Sequence, residues 1–135
     1  EVRYGDPTAR TGAAMMLTFG TGIGSALLID GELYPNTELG HLPFKTTTAE
    51  RYASSKVKEA EQLSYAQWAA RVDEVMHAYS DLFNPQTFIV GGGISRDADA
   101  WVPLLTVEQD VVPAQLRNEA GIVGAALAVI ENTMP

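Results

Sequence analysis

A glycine-rich segment near the start of the chain has the composition of a phosphate-binding turn. Three glycines leave backbone N–H groups unobstructed and three hydroxyl groups stand beside them: Gly20, Gly22, Gly24, Thr18, Thr21 and Ser25. Donors of this kind can wrap phosphate oxygens. The spacing is not the dinucleotide fingerprint, and no Gly-Lys-Ser/Thr follows, which excludes a Walker loop. On these residues alone, a phosphate loop and a plain tight hairpin are equally good interpretations.

A carboxylate and an imidazole three residues apart form a second candidate site. Glu38 and His41 lie in a polar segment of the chain. A carboxylate can accept hydrogen bonds from two adjacent sugar hydroxyls while an imidazole donates or accepts beside it, so the pair suits polyol recognition. The pair also looks like half of a metal site, but the chain has no Cys and the ligand count falls short of zinc. The alternative interpretation is that both residues belong to a surface loop without a ligand.

Three consecutive glycines mark a third place where the backbone can approach a ligand. Gly91, Gly92 and Gly93 follow a β-rich run over residues 87–90, and a helical pattern over residues 94–105 comes next. The helix N-terminus would then point at the glycines, which favours a nucleotide or a phosphate there. A sharp strand-to-helix connection without a ligand explains the glycines equally well.

The positive charge of the chain gathers in one region. Lys45, Arg51, Lys56 and Lys58 form its only basic cluster. A solvated helix face is the first explanation, although a polyanionic substrate would need a cluster of this kind.

The strands predicted around these residues form a meander followed by a crossover. An apolar run over residues 13–19 predicts a buried strand that leads into the glycine-rich turn, and residues 25–30 predict a second strand. Asp30-Gly31 is a hairpin signal of the primed-turn type. Residues 111–114 predict a short strand, placed at a sheet edge by its proline.

Helices are predicted over residues 49–61, from Ser64 to Asn84-Pro85, and over residues 119–132. Ser64 is an N-cap with Gln67 three residues on, which is the capping-box signature. The apolar stripe of this second helix is expected to be core: Tyr65, Trp68, Ala69, Val72, Val75, Met76, Tyr79, Leu82 and Phe83. His77 falls on the opposite, solvated face. Strand–glycine–helix units of this kind indicate a mixed α/β domain that binds ligands at the carboxyl ends of its strands.

The composition of the chain excludes several classes of protein and of partner. The chain has 135 residues, 9 Lys+Arg against 17 Asp+Glu, a formal net charge of -8 and no Cys. This balance argues against nucleic acid as a partner, and the lack of cysteine excludes a disulfide scaffold. No apolar window approaches the ~18 residues of a membrane span, and no signal peptide is recognisable, so no membrane partner and a cytoplasmic location are expected.

Taken in order, four stretches of the chain resemble the C-terminal part of the ROK family of sugar kinases, and within it the glucokinases that use polyphosphate. The stretches are residues 17–27, 35–42, 88–95 and 112–126. The resemblance covers nearly the whole chain. It implies an actin-like or ribonuclease H-like lobe of the hexokinase type, with a mixed sheet and flanking helices. It also implies phosphoryl transfer from polyphosphate or ATP, with Mg²⁺, to the 6-hydroxyl of glucose, in an enzyme expected to be a homodimer.

The resemblance assigns roles to each candidate site. The residues that match the second phosphate loop are Thr18, Gly20, Thr21, Gly22 and Gly24. Glu38 and His41 match the sugar-binding pair. Gly91, Gly92 and Gly93 match the glycines on the adenosine side. Most of the family carries a cysteine-rich zinc motif that this chain and the polyphosphate branch lack, so His41 is expected to bind sugar and no zinc is expected.

Two parts of the family's catalytic machinery do not occur in the sequence. These are an Asp-Ile-Gly-Gly-Thr type first phosphate loop and an Asn-Asp pair whose Asp is the general base. Residues 1–5 resemble the helix end that follows the Asn-Asp segment. The expectation is therefore that residues 1–135 are the C-terminal lobe of a longer kinase, with no catalytic residue in this chain, and that this chain alone is inactive.

Two functions of other classes remain open. The chain also resembles the sugar-sensing domain of a ROK-type transcriptional repressor, although the missing cysteines weigh against it. The third alternative is a folding or dimerisation unit, with contacts through the Gly121 and Gly124 helix and the stripe around Trp68. The sequence separates neither polyphosphate from ATP nor glucose from mannose.

Overall fold

A five-stranded mixed sheet forms the centre of the fold. The computed structural model describes residues 12–34 and 37–114. Its strands, in chain order, are β1 (Ala13–Phe19), β2 (Ile23–Ile29), β3 (Glu32–Tyr34), β4 (Pro43–Phe44), β5 (Thr47–Thr48), β6 (Thr87–Gly91) and β7 (Asp110–Pro113). The main sheet has the order β3-β2-β1-β6-β7, and β4 pairs with β5 in a separate hairpin.

The direction of the strands brings the two glycine-rich segments together. β1 pairs with β2 in antiparallel fashion and with β6 in parallel fashion. Thr18 near the end of β1 lies opposite Gly91 at the end of β6. The carboxyl ends of both strands therefore meet at one edge of the sheet, which confirms the predicted position of the glycines.

The helices are α1 (Ala49–Ala53), α2 (Ser55–Ala60), α3 (Tyr65–Phe83) and α4 (Ala98–Trp101). Turns of 3₁₀ helix occupy Leu39–His41, Gly93–Asp97 and Val102–Leu104. None of the helices within residues 12–34 and 37–114 is both long and apolar enough to cross a membrane.

The β2–β3 turn and the N-terminus of α3 follow the predicted local chemistry. Asp30 and Gly31 have φ values of 50° and 81°, the positive values that a primed turn requires. The hydroxyl of Ser64 accepts from the backbone N–H of Gln67 at 3.1 Å, and the Gln67 side chain accepts from the N–H of Ser64 at 2.9 Å. Both the hairpin and the capping box are confirmed.

The apolar stripe of α3 is buried over only part of its length. Trp68, Val72, Met76 and Tyr79 have no exposed surface. Leu82 and Phe83 were expected in the core, but that prediction is wrong for this last turn of α3, where they are 61% and 39% exposed.

The single helix predicted over residues 49–61 is wrong, because Ser54 interrupts it. Ser54 has extended backbone angles, and its side chain accepts from the N–H of Val57 at 3.3 Å, so it ends α1 and begins α2. The indole N–H of Trp68 donates to the carbonyls of Ala53 at 2.9 Å and Ser54 at 3.1 Å. The bond to Ala53 satisfies a carbonyl that a continuous helix would have used internally, whereas the Ser54 carbonyl also accepts from the N–H of Lys58 at 3.3 Å.

The helix predicted over residues 94–105 is also interrupted. It consists of a 3₁₀ turn, α4 and a second 3₁₀ turn that contains Pro103. β7 lies at the end of the sheet order, as its proline indicated. The helix predicted over residues 119–132, the N-terminal stretch and the Pro35-Asn36 segment lie outside the described residues.

Three aromatic side chains hold the sheet, α3 and α4 together beneath the first glycine-rich turn. Phe19 contacts Trp68 and Trp101 with ring centroids 5.6 Å and 5.8 Å apart, and the two indoles are 4.9 Å apart, all edge to face. Pairs of this geometry are favoured by the ring quadrupoles. Phe19 is the last residue of β1, so this cluster fixes the point at which the turn leaves the sheet.

Candidate functional site

The glycine-rich loop between β1 and β2 lines a cavity of about 420 Å³, which we call the loop cavity. All five residues expected to bind phosphate line it. The lining residues are Thr18, Phe19, Gly20, Thr21, Gly22, Ile23, Gly24, Glu50, Gly92 and Gly93. The structure therefore brings the first and third candidate sites into one concave space.

The loop is held in shape by the start of α2. The carbonyl of Gly20 accepts from the backbone N–H of Lys56 at 3.0 Å and from the Ser55 hydroxyl at 3.1 Å. The N–H of Gly20 donates to the carbonyl of Gly22 at 3.0 Å. The loop is thus anchored from outside the sheet, which preorganises its remaining donors.

The loop glycines differ in what they tolerate. A Cβ on Gly22 would collide with the Glu50 carboxylate, and one on Gly24 with the Thr18 hydroxyl. At Gly20 a Cβ would meet nothing within 4 Å. A side chain at Gly22 or Gly24 would therefore displace the carboxylate of Glu50 or the hydroxyl of Thr18, whether or not a phosphate is bound.

Glu50, in the first turn of α1, is the residue that sequence reasoning missed. Its Oε1 accepts from the N–H of Ile23 at 3.1 Å, and its Oε2 lies 3.8 Å from Nε2 of His41. Its side chain is only 29% exposed. No motif marks this glutamate in the sequence, because only the folding of α1 against the loop brings it to the cavity.

Glu38 and His41 flank the loop cavity and do not line it. They stand at either end of the 3₁₀ turn Leu39–His41, with His41 Nε2 3.9 Å from Glu38 Oε2. Their side chains are 74% and 65% exposed. The imidazole therefore lies between two carboxylates, those of Glu38 and Glu50, at distances that leave room for a bound group to compete for the same atoms.

The 3₁₀ turn that carries Glu38 and His41 is held by side chains of β2 and α3. The N–H of Leu39 donates to the Ser25 hydroxyl at 3.1 Å, and its carbonyl accepts from the Tyr79 hydroxyl at 2.7 Å. Burial raises the pKa of Tyr79, with a smaller contribution from the charge of Glu50, so this phenol remains a donor. The Ser25 hydroxyl is engaged here, with Leu39 and Thr37, and not with the loop cavity, as its place in the glycine-rich segment had suggested.

The three consecutive glycines at the end of β6 have different roles. Gly91 is buried within the strand, and Gly93 lines the cavity. Gly92 has φ 89°, and a Cβ there would lie 2.5 Å from the carbonyl oxygen of Phe19. Its own carbonyl accepts from the N–H of Ser95 at 3.1 Å and from the Ser95 hydroxyl at 2.7 Å. The expected helix N-terminus is a 3₁₀ turn, and Gly92 allows β6 to end close beside β1.

A second cavity of about 590 Å³, which we call the α2 cavity, adjoins the first. Phe19, Gly20, Thr21 and Gly93 line both cavities. The other residues of the α2 cavity are Ser55, Lys56, Lys58, Glu59, Tyr65, Ile94 and Asp97. The basic cluster of the sequence is therefore divided, because Lys56 and Lys58 face this cavity while Lys45 pairs with Glu74 at 3.1 Å elsewhere.

One wall of the α2 cavity is a chain of contacts from lysine to phenol to carboxylate. The ammonium of Lys58 lies 4.2 Å from the centroid of the Tyr65 ring, a cation–π geometry. The Tyr65 hydroxyl donates to Asp97 at 2.7 Å, and this bond is the main reason that the pKa of Tyr65 is raised. The aromatic face that a flat ligand would stack on is thus covered by a positive charge.

The described residues offer no ready-made metal cage. Within residues 12–34 and 37–114, no three or more His, Asp or Glu side chains lie close enough together to hold a metal ion. Mg²⁺ commonly keeps several waters and is bound through one or two carboxylates and the phosphates of a substrate. Glu50 is the carboxylate that borders the loop cavity.

Curated proteins match the chain in sequence, although no protein-family model does. The polyphosphate glucokinase of Mycobacterium tuberculosis is 51% identical over 133 residues, which is 98% of this chain and 50% of that protein. The chain therefore spans about half the length of the curated relatives it matches.

Solved structures give the same result for the fold. The inorganic polyphosphate/ATP-glucomannokinase of Arthrobacter sp. strain KM superposes with a TM-score of 0.88 at 45% identity, covering 90% of this chain and 48% of that one. A ROK family glucokinase of Streptomyces griseus, in complex with glucose and AMPPNP, gives a TM-score of 0.69 at 22% identity, covering 86% and 60%. The second likeness shows the fold alone. The expected hexokinase-type, actin-like α/β fold is confirmed.

Proposed function

This chain is a homologue of the polyphosphate glucokinases, and from that premise we propose that it forms the C-terminal lobe of an enzyme that transfers a phosphoryl group to the 6-hydroxyl of glucose. The proposed donor is polyphosphate or ATP. The identity of 51% over 98% of the chain supports this assignment. The coverage of half of that relative agrees with a second lobe supplied by other residues of a longer protein.

The observation that carries the proposal is the position of Glu50 between the two candidate sites. One carboxylate oxygen accepts from the loop at Ile23, and the other lies 3.8 Å from His41. A hexose held by Glu38, His41 and Glu50 would therefore lie beside the loop that holds the phosphate. Phosphoryl transfer depends on such positioning of nucleophile and phosphate.

The loop would supply charge stabilisation. The loop residues Gly20, Thr21, Gly22 and Gly24, together with the hydroxyl-bearing Thr18, line one small cavity, while the N–H of Ile23 is taken by Glu50. Preorganised donors of this kind stabilise the charge that builds up on the transferred phosphoryl oxygens. Mg²⁺ would enter with the phosphates of the donor and neutralise them, with Glu50 as the bordering carboxylate of this chain.

The general base would come from the other lobe. The sequence holds no Asn-Asp pair, and the described carboxylate nearest the loop, Glu50, is occupied by the N–H of Ile23. We therefore propose that this chain alone binds sugar weakly and does not catalyse transfer. From the likeness to the polyphosphate glucokinases we also propose that the intact protein is a homodimeric, cytoplasmic kinase.

The test is a glucokinase assay on the intact protein and on this chain, with polyphosphate and with ATP. The intact protein should form glucose 6-phosphate with at least one donor, and this chain with neither. His41→Ala should raise the KM for glucose about tenfold or more, while Glu61→Gln, which removes a surface ion pair with Arg71, should not. An intact protein that binds glucose but phosphorylates it with neither donor would instead be a sugar sensor, and turnover by this chain alone would contradict the two-lobe assignment.

A further inference from the structure

The α2 cavity contains charged side chains that the proposed reaction has not used. Lys56 and Lys58 supply two positive charges to its lining, and Glu59 and Asp97 supply two negative charges. A cavity with balanced charge is not a general trap for anions. Which ligand it accepts must depend on where each charge stands relative to the loop.

Lys56 is the charged residue most directly tied to the loop. Its backbone N–H donates to the carbonyl of Gly20 at 3.0 Å, so the first turn of α2 contacts the phosphate loop itself. Gly20 and Thr21 line both cavities. A donor that begins in the loop cavity and extends beyond it therefore passes Lys56 on entering the α2 cavity.

Asp97 and Lys58 are already engaged in the absence of a donor. The carboxylate of Asp97 accepts a hydrogen bond from the Tyr65 hydroxyl at 2.7 Å, so one of its oxygens already has a partner. Lys58 lies over the ring of Tyr65, a contact that near the surface is worth roughly 0.5–1 kcal/mol. An ion pair with a phosphate can replace this contact. Lys58 therefore lies beside the α2 cavity and can turn toward a phosphate at little cost.

The two donors differ in what they would place in this cavity. Beyond the phosphates that the loop holds, a nucleotide continues as an uncharged nucleoside, whereas polyphosphate continues as an anion. An uncharged nucleoside gains nothing from two ammonium groups and finds the Tyr65 face covered by Lys58. A phosphate chain meets two cations on its path.

We propose that Lys56 and Lys58 bind those phosphates of polyphosphate that follow the three it has in common with a nucleoside triphosphate, and that the charge of the α2 cavity sets the preference for polyphosphate over a nucleotide. This inference rests on the proposed function. The preference for one phosphoryl donor over the other is thereby assigned to the lysines of α2. The glycine-rich loop would hold the transferred phosphate of either donor.

The experiment measures the KM for polyphosphate of defined length, for ATP and for glucose in the intact protein at low ionic strength. Lys56→Gln and Lys58→Gln should each raise the KM for polyphosphate about fivefold, and the double variant more, since each removes one close charge pair. Glu59→Gln should lower it, because a repulsive charge is removed. The KM values for ATP and glucose should change less than about twofold.

Two variants control for indirect effects. Lys45→Gln removes an equal charge at a residue that pairs with Glu74 outside the cavity, and it should leave the KM for polyphosphate unchanged. Lys58→Arg keeps the charge and should restore most of the affinity that Lys58→Gln loses. Raising the salt concentration should weaken polyphosphate binding in the wild type more than in the double variant.

Equal effects of the lysine variants on both donors would overturn the inference, as would an effect of Lys45→Gln as large as theirs. If the intact wild type phosphorylates glucose with neither donor, the proposed function fails, and the cavity is then tested alone by calorimetric titration with a polyphosphate of about ten phosphates. Weaker binding by the double variant supports the assignment of the two lysines, and unchanged binding overturns it.

Discussion

At the scale of single residues, the site depends on side chains whose chemistry is visible in the sequence and on one that is not. The glycines and hydroxyls of the loop could be recognised because a phosphate needs unobstructed N–H groups. Glu38 and His41 could be recognised because their types suit a sugar. Glu50 could not, because its role comes only from the contact of α1 with Ile23 and His41.

Glu50 gives the sharpest test of the sugar site. In the intact protein, Glu50→Gln keeps an oxygen that can accept from the N–H of Ile23 but removes the charge near His41. We expect the KM for glucose to rise about tenfold with a smaller change in kcat. Glu50→Ala also removes the loop anchor, so kcat should fall as well.

The measurement is steady-state kinetics with glucose varied at saturating donor. Equal kinetics for Glu50→Gln and wild type would mean that the carboxylate only supports the loop. A loss of kcat in Glu50→Ala that is no greater than in Glu50→Gln would mean that the bond to Ile23 does not position the loop.

Gly92 and Gly20 allow a matched comparison of how a glycine-to-alanine substitution affects stability. Gly92→Ala places a Cβ 2.5 Å from the carbonyl oxygen of Phe19 at a φ of 89°, so it should destabilise the fold by about 2 kcal/mol or more. Gly20→Ala meets nothing within 4 Å and should stay within about 0.5 kcal/mol of wild type. Chemical denaturation of both variants in the intact protein provides the comparison, and similar losses of stability would contradict it.

At the scale of elements, the strands were easier to predict than the helices. β1 and β6 are short, mostly apolar and followed by glycines, and both strands are where the pattern placed them. The helix over residues 49–61 was predicted as one piece because no proline or glycine interrupts it. Ser54 ends it because the indole of Trp68 donates to the carbonyls of Ala53 and Ser54, a contact that local sequence does not contain.

The junction of α1 and α2 should therefore depend on Trp68. Trp68→Phe keeps an aromatic ring but removes both indole bonds and leaves the buried Ala53 carbonyl without its donor, while the Ser54 carbonyl keeps the N–H of Lys58 at 3.3 Å, so the cost should be about 1–3 kcal/mol. Trp101→Phe, which removes one bond to the carbonyl of Ile94, should cost less. The free energy of unfolding in urea measures both, and a larger loss in Trp101→Phe would show that packing and not the carbonyls decides the cost.

Glu74 of α3 ties together the β4–β5 hairpin and α1. Its carboxylate accepts from the Tyr52 hydroxyl and pairs with Lys45 at 3.1 Å. The bond from Tyr52, with a smaller contribution from Lys45, holds the pKa of Glu74 below its ordinary value of 4.5. Because the folded-state pKa is the lower one, this stabilisation is present above about pH 4.5 and is lost as the pH falls through the folded-state value.

Glu74→Gln should accordingly lower the melting temperature at neutral pH, and its difference from wild type should close in acid. Thermal denaturation across this pH range measures the effect. Glu61→Gln is the control, since Glu61 pairs with Arg71 at the surface and its variant should differ little from wild type at any pH. A gap for Glu74→Gln that stays constant into acid would contradict the assignment of the pKa.

At the scale of the whole molecule, the class of fold could be predicted, but the pairing of β6 with β1 could not. A meander followed by a strand–glycine–helix unit limits the chain to a sheet with covering helices. That β6 returns to lie beside β1, with Thr18 opposite Gly91, depends on contacts between residues far apart in the chain. This pairing makes one site from glycine segments that look independent in the sequence.

The aromatic cluster under the loop also makes the chain its own spectroscopic probe. Both of its tryptophans, Trp68 and Trp101, are fully buried, lie 4.9 Å apart and contact Phe19, the last residue before the loop. Indoles so placed should emit at short wavelength and couple as an exciton pair in the near-ultraviolet circular dichroism spectrum. A ligand that shifts the loop must move Phe19 against both rings, so occupancy of the loop cavity should be readable as a change in intrinsic emission, with no label attached.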